Sequence, residues 1–154
     1  MTYLLKDEKQ TAAFGSALGV HLRGGDVVLL SGELGAGKSV LARGVAASLG
    51  VSGDMPSPTF VLAIPHTGTI GVCHMDLYRL SDMDAFYSAG LHEYMTDENV
   101  ALIEWPLAGL TAPVRIEIAL LCVGDARRAS LAFYGMRGRA EGIRESLAGW
   151  GERL

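Results

Sequence analysis

The chain has 154 residues, 49% of them hydrophobic and 19% charged, which suits a compact folded protein and excludes a disordered one. Its length predicts a single domain, residues 1–154, large enough to bury a core. A net charge of -4 excludes a broadly basic nucleic-acid surface, so any RNA-linked role is expected to run through partner proteins.

Leu4 and Leu5 read as a short strand or lead-in, and Asp7 is placed to cap a helix whose first turn holds Glu8. Ala13, Phe14, Ala17, Leu18 and Leu22 recur at helical spacing, and Gly24-Gly25-Asp26 turns the chain. Val27 to Leu30 reads as a buried strand, and Ser39 to Leu49 as a helix closed by Gly50. A polar loop from Ser52 to Pro58 precedes two predicted strands, Phe60 to Ile64 and Ile70 to Met75. Ser81 or Asp82 caps a short helix, and Gly90 to Met95 reads as another. Asn99 to Glu104 is an apolar strand ending in an acid. Val114 to Ile118 alternates, so one face is buried and the other wet. A turn at Gly124-Asp125 leads to a strand over Ala129 to Tyr134, and a last helix covers Ala140 to Ala148. The order of elements predicts an α/β fold with a central mixed, mostly parallel β-sheet flanked by helices.

Cys73 and Cys122 are too few for a disulfide or zinc scaffold and read as buried, reduced thiols. No apolar run approaches the ~20 residues that span a bilayer, and Met1 to Gln10 does not read as a secretory signal. The expected location is the cytoplasm, without membrane contact.

Between the predicted strand and helix lies Gly32-Glu33-Leu34-Gly35-Ala36-Gly37-Lys38-Ser39, the spacing of a phosphate-binding loop in its required setting. Backbone N–H groups at a helix N-terminus make a positive concavity for phosphate, and Gly35 and Gly37 let the chain curl close to it. Gly35, Ala36, Gly37, Lys38, Ser39 and Val40 are therefore expected to hold the nucleotide. Lys38 would reach the terminal phosphates and the Ser39 hydroxyl would ligate Mg²⁺.

Hydrolysis needs a metal and a group that orients water. Glu104 ends the run Val100-Ala101-Leu102-Ile103 in the form of a Walker B strand, and Asp76 ends another apolar run. Each is a candidate Mg²⁺ ligand or water-positioning group. His74, Asp76 and Tyr78 share a strand face, His74 reading more simply as a hydrogen-bonded core residue. Thr59, in Ser57-Pro58-Thr59-Phe60, occupies the place of a switch segment that senses phosphate or metal, or belongs to a loop stiffened by Pro56 and Pro58. Arg79 reads equally as a charge-stabilising group and as a surface ion-pair partner. Trp105 either shields the site or simply packs. Arg127, Arg128, Arg137 and Arg139 form a late basic cluster that reads as a phosphate, RNA or partner contact, or as a solvated face. With no Asn-Lys-x-Asp guanine reader, ATP is favoured over GTP.

The P-loop, Ser57-Pro58-Thr59-Phe60, His74-Met75-Asp76-Leu77-Tyr78-Arg79 and Ile103-Glu104-Trp105-Pro106 stand in that order in one short chain. Together they resemble the TsaE (YjeE) family, small P-loop ATPases of bacterial tRNA threonylcarbamoyladenosine synthesis, from about Leu5 to Arg128. The resemblance implies an Mg²⁺-dependent ATPase that works with the TsaD and TsaB proteins, which transfer threonylcarbamoyl to adenosine 37 of tRNAs reading ANN codons. It implies that this chain resets the TsaB–TsaD assembly between turnovers and meets tRNA only through that complex. Carried onto this sequence, it makes Lys38 and Ser39 the phosphate and metal residues, Glu104 the second metal ligand, and Asp76 a residue needed for hydrolysis. It also places Glu8 and Arg128 beside the nucleotide. Ser39 stands where many members have threonine, which keeps the metal-binding hydroxyl. Two other readings compete: a small-molecule kinase with an arginine-rich lid, and a nucleotide-dependent binding module with negligible hydrolysis.

Overall fold

The structure, a computed structural model, describes residues 1–150 and the backbone of Glu152–Arg153. β1 (Thr2–Leu5) leads into α1 (Glu8–Gly19), and β2 (Val27–Gly32) leads through the P-loop into α2 (Lys38–Ser48). β3 (Ala63–Thr67) and β4 (Gly71–Asp76) form a hairpin, followed by α3 (Met83–Ser88), a 3₁₀ turn (Leu91–Tyr94) and β5 (Asn99–Glu104). β6 (Arg115–Val123) and β7 (Ala126–Tyr134) form a second hairpin, and α4 (Arg139–Leu147) and β8 (Glu152–Arg153) follow.

Among the described residues these strands make one mixed sheet in the order β3-β4-β5-β2-β6-β7-β1-β8. The parallel pairs β4–β5, β5–β2 and β2–β6 sit at the centre. Both hairpins and β1 pair antiparallel at the flanks. The expected mixed α/β sheet is present, with its parallel pairing confined to the four central strands.

Burial follows the strand period. Val28, Leu30, Val72, Val100 and Leu102 join the core beneath the helices, while Val27, Leu29, Cys73, Ala101 and Ile103 face a second core with Phe86 and Leu91. The central strands are thus apolar on both faces, as buried parallel strands must be. In β6 only Ile116, Ile118 and Leu120 enter the core, which is the one-sided burial its alternation predicts.

Two aspartates start helices: Asp7 accepts the Gln10 N–H and Asp82, rather than Ser81, accepts the Ala85 N–H, each at 2.8 Å. α1 and α2 cross at small residues. A Cβ at Gly15 would lie 2.4 Å from the Leu41 carbonyl oxygen, and one at Gly44 would lie 2.2 Å from that of Ala12. Glycine here lets two backbones touch. Gly44→Ala is therefore expected to destabilise the protein by about 1–3 kcal/mol, the usual range for overpacking. Urea unfolding measures it, and an unmoved midpoint would contradict the close-packed crossing.

Three expectations shift. Phe60, Val61 and Leu62 form a turn instead of opening a strand, because the Val61 and Leu62 N–H groups both bond the Pro58 carbonyl and Leu62 has a φ of 72°. Phe60 and Val61 are left exposed at 84% and 62%. β4 begins at Gly71, not Ile70. Cys73 is buried, which pushes its thiol up to about 12. Cys122 is only half-buried, and a hydrogen bond with Glu33 raises its thiol.

Candidate nucleotide and metal site

The C-terminal ends of β2, β4 and β5 converge because these strands are parallel neighbours. Open α/β sheets bind ligands at such ends. From β2 the chain turns through the P-loop, where Gly37 holds a φ of 98° and caps α2 without a side-chain bond. That left-handed conformation suits glycine, and it leaves the first-turn N–H groups of α2 without helical acceptors. A cavity of about 260 Å³ opens at this N-terminus. Its wall is formed by Gly35, Ala36, Gly37, Lys38, Ser39 and Val40, together with Glu8, Thr59, Asp76, Glu104 and Trp105.

Lys38 is only 5% exposed. Its Nζ donates to the carbonyls of Gly32 at 2.6 Å and Glu33 at 2.8 Å, and lies 4.0 Å from the centre of the Trp105 ring. Burial pushes this ammonium below the usual lysine range, while Glu104 and then Asp76 pull it back up. Trp105 reaches this place through a φ of 53°, a conformation uncommon for a bulky residue. Tyr78 packs on it, with ring centres 4.8 Å apart. Trp105 therefore covers the lysine.

Asp76 and Glu104 are register partners at the ends of β4 and β5, 6% and 3% exposed. The Ser39 hydroxyl donates to Glu104, 2.9 Å from Oε1 and 3.1 Å from Oε2. His74, fully buried, bonds Glu104 Oε2 through Nε2. Asp76 is held differently: its Oδ2 accepts the Thr59 hydroxyl at 3.1 Å and its Oδ1 accepts the Tyr78 N–H at 3.0 Å. The donor set facing the P-loop is one hydroxyl and two carboxylates. Those are hard oxygen ligands of the kind Mg²⁺ takes, so the residues present fit that ion.

The sequence itself matches the family described as threonylcarbamoyl adenosine biosynthesis protein TsaE over residues 5–129. The chain belongs to the TsaE family. It is 33% identical to the tRNA threonylcarbamoyladenosine biosynthesis protein TsaE of Treponema pallidum over 130 residues, 83% of this chain and 96% of that one. The TsaE protein of Bacillus subtilis is 32% identical over 143 residues, 91% of this chain and 89% of its own. That of Mycobacterium leprae is 47% identical over 106 residues, covering 63% of this chain and 66% of the relative. The crystal structure of Bacillus subtilis YdiB has a similar fold, with a TM-score of 0.76 at 27% identity over 96% of this chain and 93% of that one. This family is one of tRNA threonylcarbamoyladenosine biosynthesis.

In this TsaE-family chain His74, Tyr78 and Arg79 lie outside the cavity lining, which gathers every residue expected to hold nucleotide or metal except Arg128. Arg127 comes to the P-loop instead, its guanidinium donating to the Gly35 carbonyl at 3.1 Å. Alternation along β7 puts Arg128 on the opposite face. Parity could have found this, since Arg127 shares its face with the buried Ala129 and Leu131. The late arginines do not form one patch: Arg139 pairs with the buried Asp26 at 2.6 Å. That contact raises the Arg139 guanidinium above its ordinary value. Arg79 stays outside the cavity lining and reaches the Phe60 carbonyl at 3.4 Å.

Proposed function

We propose that this chain binds ATP with Mg²⁺ and hydrolyses it to sustain turnover of a TsaB–TsaD complex, without itself transferring the threonylcarbamoyl group. The observation that carries the ATPase reading is the Ser39–Glu104 contact at the head of α2. It joins the last residue of the phosphate-loop motif to the acid of the neighbouring parallel strand. Ser39 and Glu104 would hold the ion, and Mg²⁺ supplies charge neutralisation on the phosphate oxygens. Lys38 exchanges two backbone carbonyls for phosphate oxygens. Asp76, tied to the Thr59 loop, orients the attacking water, so that loop links the γ-phosphate position to the exposed Phe60 and Val61.

Nothing in the net charge of -4 favours direct tRNA binding, and the tRNA is met through the partner proteins. Among the described residues no helix is long and apolar enough to cross a membrane. Residues 1–154 act as one cytoplasmic domain in this reading. The kinase alternative is weakened by the scattering of the arginines that a lid would need.

Adding purified TsaB and TsaD is expected to raise the ATPase rate of this chain. A rate that stays flat across their titration would remove the partner-driven reading. Phosphoryl transfer to an added small molecule would replace it with the kinase.

A further inference from the structure

His74 is a fully buried polar side chain beside the site that lies outside the nucleotide cavity. It is 0% exposed and lies on β4 two residues before Asp76, on the face that carries Asp76 and looks toward α2. Its partner on β3 is Ile64, and its partner on β5 is Leu102, two residues before Glu104. A carboxylate can only accept, so the proton between them sits on Nε2, and Nε2 donates to Glu104 Oε2. The other ring nitrogen, Nδ1, is buried without a hydrogen-bond partner. A purely packing residue at this position would be apolar, since below the terminal acids Asp76 and Glu104 the same face of β4 and β5 is built from Val72, Val100 and Leu102. The ring keeps an unsatisfied nitrogen in the core, and what it obtains is one bond, to Glu104.

Glu104 has two holders, and they differ in what nucleotide entry would do to them. The Ser39 hydroxyl, which now bonds both carboxylate oxygens, is the group expected to turn its oxygen to the metal. His74 lies beneath, away from the cavity wall, and has no competing ligand. We propose that His74 is a positioning residue that fixes the Glu104 carboxylate from behind, holding Oε2 so that Oε1 faces the ion when Ser39 lets go. This inference rests on the Mg²⁺-nucleotide reading above and adds the residue that sets its metal affinity. Ligating carboxylates are ordinarily oriented by such outer partners, whose loss weakens metal binding ~10–100-fold.

The test uses Mn²⁺ as the probe, titrated by electron paramagnetic resonance into the full chain saturated with a non-hydrolysable ATP analogue. His74→Leu is expected to weaken Mn²⁺ binding ~10–100-fold, while analogue affinity in EDTA stays at the wild-type value. His74→Gln, whose terminal amide can donate where Nε2 does, is expected to recover most of the loss. Equal Mn²⁺ affinity in wild type and His74→Leu would overturn the proposal. So would a glutamine variant as weak as the leucine one, or an analogue affinity in EDTA that falls in step, since either marks a packing role. Should His74→Leu fail to fold, His74→Gln and His74→Asn decide, because the shorter amide cannot reach Glu104; matched affinities would then refute it. If the wild-type complex takes up no Mn²⁺ beyond what the free analogue binds, the metal-nucleotide reading itself fails.

Discussion

Lys38→Ala is expected to lower ATP affinity by at least ~100-fold, because each hydrogen bond from an ammonium to a phosphate contributes about 1.5–3 kcal/mol. Lys38 is buried against Trp105 and braced by the Gly32 and Glu33 carbonyls. Its charge is thus already desolvated before phosphate arrives, and burial holds its ammonium below the ordinary lysine range. The energy of removing it from water has been spent in folding, so the contact with phosphate is stronger than one made by a surface lysine. Isothermal titration with ATP and EDTA reads the effect directly. An affinity equal to the wild type would refute the P-loop assignment. Trp105 fluorescence gives a second signal, since withdrawing the ammonium from its ring on nucleotide binding is expected to change emission in the wild type and not in Lys38→Ala.

Glu104→Gln separates binding from chemistry. The amide keeps the shape of the carboxylate but loses its charge, and hydrolysis is expected to fall on the order of 10²–10³-fold, as when one preorganised group is removed from an active site. ATP affinity in EDTA should hold or rise, because a negative charge near the phosphates has gone. Asp76→Asn is expected to follow the same pattern, with hydrolysis lost more than binding. Steady-state turnover against Mg²⁺ concentration distinguishes the two. A shift in half-saturating Mg²⁺ is expected for Glu104→Gln, and a lower maximal rate with little shift for Asp76→Asn. If both variants turn over at the wild-type rate, these carboxylates have been assigned the wrong roles.

The two acids also explain why so much of the site could be read along the chain and some of it could not. A P-loop is local: its glycines, lysine and serine lie within one turn and one helix start, so spacing alone implies its geometry. Walker-type strands are nearly as legible, because a buried parallel strand reads as an apolar run and its terminal acid stands out. Asp7 was visible as a cap for the same reason, and Asp82 as an alternative to Ser81, each aspartate bonding an N–H three residues on. The turn at Phe60 was not, since an apolar Phe60-Val61-Leu62 reads as strand until Pro58 takes its N–H groups.

Contacts between distant segments depend on which strands are neighbours. Glu104 meets Ser39 and His74 because β5 lies between β2 and β4, an order that follows from the whole sheet. Arg127 rather than Arg128 reaches Gly35 because the β6–β7 hairpin register turns that side chain toward the helices. The left-handed Trp105 covers Lys38 only because β5 ends beside β2, where the Trp105 N–H bonds the Leu30 carbonyl at 3.1 Å. Residue order along the chain therefore specifies the phosphate loop, the two carboxylates and the α/β class, since these depend on local spacing and hydrophobic period. Strand order and register select the partners of each acid, because a side chain's neighbours across a sheet lie tens of residues away in sequence and are settled only when the core packs.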